Sequence, residues 1–483
     1  VTDRVTRRRF LTVTAAGVAV VAFDPFGGGW LTAAEAAQPG AVAVPELDGE
    51  LVRDPDALAA AADDYGHLVS RTPVAVLRPG SVQDVVRVVR FAQRRGIRVA
   101  MRGQGHSTSG QAQVADGVVI DMSTLAAVHE ILPDRAVVDA GATWSELARR
   151  TLARGLTPPV LTDYLDLSVG GTLAVGGIGG ATQRYGLQVD TALELEVVTG
   201  RGELLRCSPT RRRALFEAAL GGLGQAALIV RATVALVPAP TSARGYQLFY
   251  PDLDTYLEDQ RRALADGRFG SLEGQASPLA SGTGWEFVVD AAVHHDGTPP
   301  DDAEVLRDLR FDPARTVVTD YAFADWIDRL RPTVEFLKSI GAWSLPHPWA
   351  NVFLPDSRTA EVVSATLADL TVADTGQGPV LLYPFRTGLL RRPLVAVPRE
   401  PTAFLLALLR TTVPPTSAES QLAGNRTLYE RTRDAGGKRY PVGSVPFTPA
   451  DWRDHFGPRY PLLRAAKARW DPQGILTPGQ GVF

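Results

Sequence analysis

The chain has 483 residues, 45% of them hydrophobic and 21% charged, which gives room for two or three domains and excludes a disordered, collagen-like or coiled-coil protein. Fifty basic residues against 53 acidic ones leave a formal charge of −3, so no basic surplus points to nucleic acid and no acidic run reads as a tail. The single cysteine, Cys207, excludes an internal disulfide and a cysteine-rich zinc site.

Residues 1–37 read as a targeting segment outside the fold. Arg7-Arg8-Arg9-Phe10-Leu11 leads into an apolar stretch at 11–23, and Ala34-Glu35-Ala36 offers a small-residue cleavage site. The stretch is shorter than the ~20 residues of a membrane span. Paired arginines before Phe-Leu resemble a twin-arginine signal, so export to an extracytoplasmic or secreted location is expected.

From residue 74 strands and helices alternate. A short strand at 74–77 closes on Pro79-Gly80, and Val82, Val85, Val86 and Val89 fall at helical spacing. Ser81 and Asp84 are set as a capping box, and Gly96 is the stop. Strands follow at 97–101, 118–121 and 136–140. Thr143-Trp144-Ser145-Glu146 is a second capping box, opening a helix that runs to about Gly155. Further strands are expected at 193–199 and 228–237. This alternation implies an α/β or α+β cofactor domain.

Past Pro238-Ala239-Pro240 the pattern lengthens. Helical stretches at 253–265, 322–340 and 357–371 lie between strand-like runs at 285–293, 380–383 and 394–397. Residues 241–440 read as a cap-like α+β domain. The last forty residues, rich in aromatics, Pro and Gly, read as a tail lying back across the first domain. That domain is therefore split, at 45–240 and 441–483.

Two glycine segments carry chemistry. Met101-Arg102-Gly103-Gln104-Gly105-His106-Ser107 follows a strand directly and puts a histidine on a tight loop. The run 169–180 contains Gly170, Gly171, Gly176, Gly177, Gly179 and Gly180. Such backbone approaches a ligand closely and can cradle a pyrophosphate through free N–H groups. Neither G-x-G-x-x-G nor G-x-x-x-x-G-K-[ST] occurs, so the two best-known nucleotide signatures are absent.

Gly105-His106-Ser107, the glycine run and the Pro478-Gly479-Gln480 tail together resemble the covalent flavin oxidoreductases of the vanillyl-alcohol oxidase type. The resemblance implies an α+β fold: a two-subdomain FAD-binding domain of the PCMH type, split around a cap-like substrate domain. It implies FAD joined to His106 through the isoalloxazine 8-methyl group. Cys207 lies away from the glycine run, so a single bond, to His106, is expected. Gly103, Gln104, Gly105, Ser107, Thr162, Asp163, Gly170, Gly171, Thr172, Gly176, Gly177, Gly179, Gly180 and Gln480 are the implied flavin contacts. Gln104 stands where the family often has another residue.

His347-Pro348-Trp349-Ala350-Asn351-Val352-Phe353-Leu354-Pro355 and Leu161-Thr162-Asp163-Tyr164-Leu165 before Val169-Gly170-Gly171 narrow this to a resemblance to cytokinin dehydrogenases over about 400 residues. The implied reaction takes hydride from the carbon next to N6 of an N6-isoprenoid adenine to flavin N5, and the imine hydrolyses to adenine and an aldehyde. Oxygen or a quinone then accepts the electrons. Asp163 is the implied base at N6–H, worth about 10²–10⁴-fold, and Glu273 the implied partner of the adenine. Trp349, Asn351 and Tyr383 are expected to line an apolar slot for a flat purine. His347 is assigned no chemistry, and Asn425-Arg426-Thr427 reads as a chance glycosylation triplet. A polyol, sugar or phenol oxidase on the same scaffold, or a non-catalytic flavin or purine binder, is the alternative. The absence of a G-x-S-x-G elbow argues against a hydrolase.

Overall fold

A computed structural model describes residues 19–24, 29–32, 35–37 and 41–483, apart from 280, 282, 283 and 377. Most of the expected targeting segment, including its arginines, lies outside the described residues. The end of its apolar run, Val20–Asp24, is the central strand of a three-stranded sheet with Gly29–Thr32 and Val42–Ala43. Phe23 and Trp30 of this sheet pack edge-on and tilted against Phe91 at 6.0 and 5.4 Å.

The first domain holds two sheets. One is four-stranded, in the order Glu50–Val52, Ala75–Arg78, Val118–Asp121, Val99–Arg102, and its last three strands run parallel. The helix Val82–Gln93 makes the crossover, burying Val85, Val86, Val88, Val89 and Phe91 on one face. The other is an antiparallel five-stranded sheet, Leu204–Cys207, Ala192–Thr199, Ala227–Ala235, Arg135–Asp139, Val128–Leu132. Thr143 caps the helix Trp144–Leu152 by accepting from the Glu146 N–H, as expected. The Ser81 box does not form. The Asp84 carboxylate, fully buried, instead accepts from the N–H groups of Asp48, Gly49 and Gly80. Three backbone donors from two adjoining loops converge on this one carboxylate, which is buried and must be satisfied.

The second domain is built on an eight-stranded antiparallel sheet that runs from its edge strand Val317–Ala322 to Lys438–Arg439. Strands Ser242–Tyr250, Trp285–His295 and Ser271–Pro278 form one half, and Val380–Arg386, Thr402–Leu408 and Ala350–Pro355 the other. Two expectations here fail. Residues 394–397 form no strand, although Leu394 and Val395 are buried. The helix expected over 322–340 is two helices, Phe323–Ile327 and Arg331–Ser339. Pro332 has no N–H to give to the carbonyl four residues back, so the first helix does not run through it; Pro332 stands in the first turn of the second helix, where no such donor is needed, and the chain breaks at 328–330.

The last forty residues contain more helix than expected, Pro449–Phe456 and Tyr460–Trp470. Beyond them the tail does return to the first domain. Val99 N–H donates to Ile475 O and Thr477 N–H to Val99 O, at 2.8 Å each. Among the described residues no helix is long and apolar enough to cross a membrane.

Candidate active site

A cavity of about 700 Å³ lies between the domains. Its floor is apolar, made by Leu223, Ala227, Leu228 and Ile229 of the first domain, and its far end reaches Gly245, Thr319 and Tyr321 on the cap sheet.

The loop after strand Val99–Arg102 forms one wall, with Gly103, Gln104, Gly105, His106 and Ser107 all lining the cavity. Gly105 has φ +67°, a conformation that costs a side chain energy and glycine little. The loop is held from behind: Gly105 O accepts from Tyr65 N–H, Ser107 O from Gly66 N–H, and Ser107 Oγ donates to Asp64. The N–H groups of Gln104, Gly105, His106 and Ser107 donate to no acceptor among the described residues. Free donors on a glycine-rich turn are what a pyrophosphate or a flavin carbonyl requires.

His106 sits in a cluster of rings. Its imidazole stacks on Tyr65 at 4.1 Å, and the other face of that cluster is His347, stacked on Tyr65 at 4.1 Å and 6°. Tyr164, Trp343 and Trp349 complete the surround at 4.8–5.9 Å from His106. Burial, then the nearby His347 and Lys338, push the His106 pKa down to about 3. The imidazole is neutral at pH 7 and keeps a lone pair available for a bond.

The glycine run divides in two. Its first half is the short helix Val169–Val175, from which Gly170, Gly171 and Thr172 line the cavity. Gly177 lines it too, with φ +75° and its N–H on Tyr440 Oη; a Cβ there would sit 2.1 Å from Gln188 Oε1. Gly176, Gly179 and Gly180 do not line it. Gly176 ends the helix, Gly179 is pressed against Leu161 O, and Gly180 against Ser271 and Glu273. Those three serve packing between segments, which the same residue type also satisfies. Gln480, on the returning tail, lines the cavity, as do Thr162 and Asp163.

Asp163 of the first domain meets Glu273 of the cap. Glu273 lies on strand Ser271–Pro278, directly across from Asp290 on strand Trp285–His295. Arg329, from the break between the two short helices, closes the group. Its Nη2 donates to Asp163 Oδ1 at 2.9 Å and to Glu273 Oε2, and its Nε faces Asp290 Oδ2 at 3.8 Å. Its guanidinium lies over the Trp326 ring at 4.4 Å. Burial first, then the Asp163 charge, raises the Glu273 pKa well above the usual carboxylate range, with Arg329 opposing. Burial likewise raises Asp290. Glu273 Oε1 is buried and unpartnered.

Trp349, Asn351 and Tyr383 line the same cavity from the cap. Asn351 Nδ2 and Trp349 Nε1 are buried without acceptors, donors a polar ligand could satisfy. Asn425 is fully buried and donates to Pro348 O, Trp349 O and Ser444 O. It braces the Trp349 segment, which explains the triplet without a glycan. Cys207 is buried in the five-stranded sheet, outside the cavity lining, with its thiol pushed up to about 12 by burial. Sequence reasoning missed Tyr65, Trp343, Asp290 and Arg329, which lie in no recognisable motif.

Comparison with known proteins agrees with this geometry. Residues 73–208 match the family described as FAD binding domain, and residues 281–483 the family described as cytokinin dehydrogenase 1, FAD and cytokinin binding. An uncharacterized oxidoreductase of the fasciation locus of Rhodococcoides fascians is 40% identical, over 87% of this chain and 96% of that protein. Cytokinin dehydrogenase 9 of Oryza sativa subsp. japonica is 34% identical, over 88% and 89%. The crystal structure of 6-hydroxy-D-nicotine oxidase from Arthrobacter nicotinovorans has the same fold, at a TM-score of 0.68 and 22% identity over 89% of this chain and 96% of its own. With an FAD cradle, a cap domain of matching sequence and relatives above 30% identity along most of its length, the chain belongs to the cytokinin dehydrogenase family of FAD-dependent oxidoreductases.

Proposed function

We propose that the protein dehydrogenates N6-isoprenoid adenines, with His106 as the attachment point of a covalent flavin. The observation that carries the substrate reading is the pairing of a carboxylate at the cavity, Asp163, with a second acid, Glu273, beside the aromatic wall of Trp349 and Tyr383. A flat purine with one exocyclic N–H and ring nitrogens presents donors and acceptors to such a pair, and its prenyl tail suits the apolar part of the slot.

FAD, when bound, supplies the acceptor for the hydride lost from the carbon next to N6. Asp163 accepts the N6–H hydrogen bond, which strengthens as positive charge develops on that nitrogen. Glu273 holds the purine ring through its free oxygen, and Trp349 and Tyr383 fix the ring plane. The ring cluster packs around one side of His106, whose neutral nitrogen is the nucleophile for attachment. Export by the twin-arginine route belongs to the same proposal, supported by Arg7-Arg8-Arg9-Phe10-Leu11. The electron acceptor is oxygen or a quinone.

The experiment is anaerobic titration of the purified yellow protein with N6-isopentenyladenine. Bleaching of the visible band at stoichiometric amounts is expected. A band that stays unbleached moves the function to a polyol, sugar or phenol. Acid precipitation of the same sample is expected to leave the colour in the pellet; colour in the supernatant overturns the His106 bond.

A further inference from the structure

The three acids at the cap end pose an electrostatic problem. Glu273 and Asp290 are directly opposed on neighbouring antiparallel strands, an arrangement in which like charges repel. Asp163 approaches the same point from the other domain. Like charges gathered at one point repel, and a cation between them relieves that repulsion. Arg329 is the cation that touches all three, and the Pro332 break is what brings it there. The same bridge is the wall between the main cavity and a second cavity of about 100 Å³ behind it, since Thr162, Asp163, Glu273, Trp326 and Arg329 line both.

We propose that Arg329 is a positioning residue for the reaction: by tying Asp163 of the FAD domain to Glu273 of the cap, it fixes the spacing of the two acids and aims the Asp163 carboxylate. This rests on the reading of Asp163 and Glu273 given above. One donor atom, Nη2, serves an oxygen of each acid, so the two carboxylates are held at the reach of a single N–H₂ group. Glu273 Oε1 is left free for the substrate. Stacking on Trp326 fixes the guanidinium plane. The other ionisable groups facing the cluster are Tyr383, which shares its field, and His294 with Arg184 on the side of the second cavity.

The test uses the flavin-loaded protein with Arg329→Met, Arg329→Lys and Asp290→Asn. Two readouts are taken: the visible flavin spectrum against pH without substrate, and the pH profile of reduction by N6-isopentenyladenine. Arg329→Met is expected to lower kcat/KM at least 100-fold and to move the acid-side transition up by one pH unit or more. Asp290→Asn removes a negative charge and is expected to move that transition down. Arg329→Lys keeps the charge and is expected to return the transition to within half a unit, with at least a tenth of kcat. The proposal is overturned if Arg329→Met leaves kcat/KM within threefold, if the Met and Asn variants shift the transition in the same direction, or if Lys is as defective as Met. If Arg329→Met does not fold, the Lys and Asn variants still decide it through the sign of the shift. If the wild type is not reduced by N6-isopentenyladenine, the substrate reading fails. The substrate-free spectra then decide the bridge alone, opposite shifts supporting it and shifts of one sign or none overturning it.

Discussion

The two ends of the cavity bury ionisable groups by opposite means. At the His106 end the solution is neutrality: rings stack on the imidazole, no carboxylate among the described residues pairs with it, and its pKa falls to about 3. At the Asp163 end the solution is pairing: three acids are gathered and a guanidinium is brought to them. A neutral nitrogen suits a group that forms a bond once and stays put. A paired carboxylate suits a group that must meet a developing positive charge in every turnover. On the proposed function, the contrast separates a site for holding a cofactor from a site for acting on a substrate, although both line one space.

The comparison breaks most visibly at Asp163. Asp163→Asn removes the charge and keeps the shape, and is expected to lower kcat by about 10²–10⁴-fold while the protein stays yellow. Stopped-flow reduction checks it. Loss of colour along with turnover would mean that Asp163 serves the flavin end instead. Glu273 should behave differently, because its role is to hold. Glu273→Ala removes a buried hydrogen-bonding acid, worth about 1.5–3 kcal/mol, and is expected to raise KM about 10- to 100-fold while kcat falls less than in Asp163→Asn. A kcat loss as large as that of Asp163→Asn would put Glu273 in the chemistry itself.

The flavin end was far more legible in the sequence than the substrate end. Gly103 to Ser107 follow a strand within seven residues, so local chain geometry alone puts His106 on the cavity wall. The helix Val82–Gln93 and the Thr143 cap were readable for the same reason, periodicity and capping being local. The glycine run misled in part: three of its glycines face the cavity and three pack segments together, and composition does not separate the two uses. Arg329 was invisible. It lies 166 residues from Asp163 and 56 from Glu273, and the apolar pattern around it reads as one helix through 322–340. Only the break before Pro332, where the backbone turns, aims its side chain at the acids. Asp290 was hidden likewise, because its register against Glu273 is a property of the folded sheet.

The smallest effect sharpens the neutral end. His347, fully inside the ring cluster, has Nε2 against Trp343 O and Nδ1 against Thr411 Oγ1, both at 3.3 Å. The neutral tautomer that donates from Nε2 and accepts at Nδ1 satisfies both partners. Burial lowers its pKa from 6.5 to about 4, with His67 acting in the same direction. A histidine whose folded pKa is depressed is neutral in both states above pH 6.5, so there it has no pH-dependent effect. Between about 6.5 and 4 the unfolded chain takes up the proton and the folded one does not. Stability then falls with falling pH, by up to about 1.36 kcal/mol per pH unit for one group. Below about 4 both states are protonated and this contribution to the slope ends. His347→Gln keeps a donor and an acceptor and cannot titrate, so denaturant unfolding between pH 6.5 and 4 is expected to lose that share of the slope. His106, His294 and His455, depressed to about 3, about 4 and about 3 mainly by burial, keep the remainder. An unchanged slope would mean that His347 is already charged in the fold, and the ring cluster around His106 would then be a cationic wall instead of a neutral one.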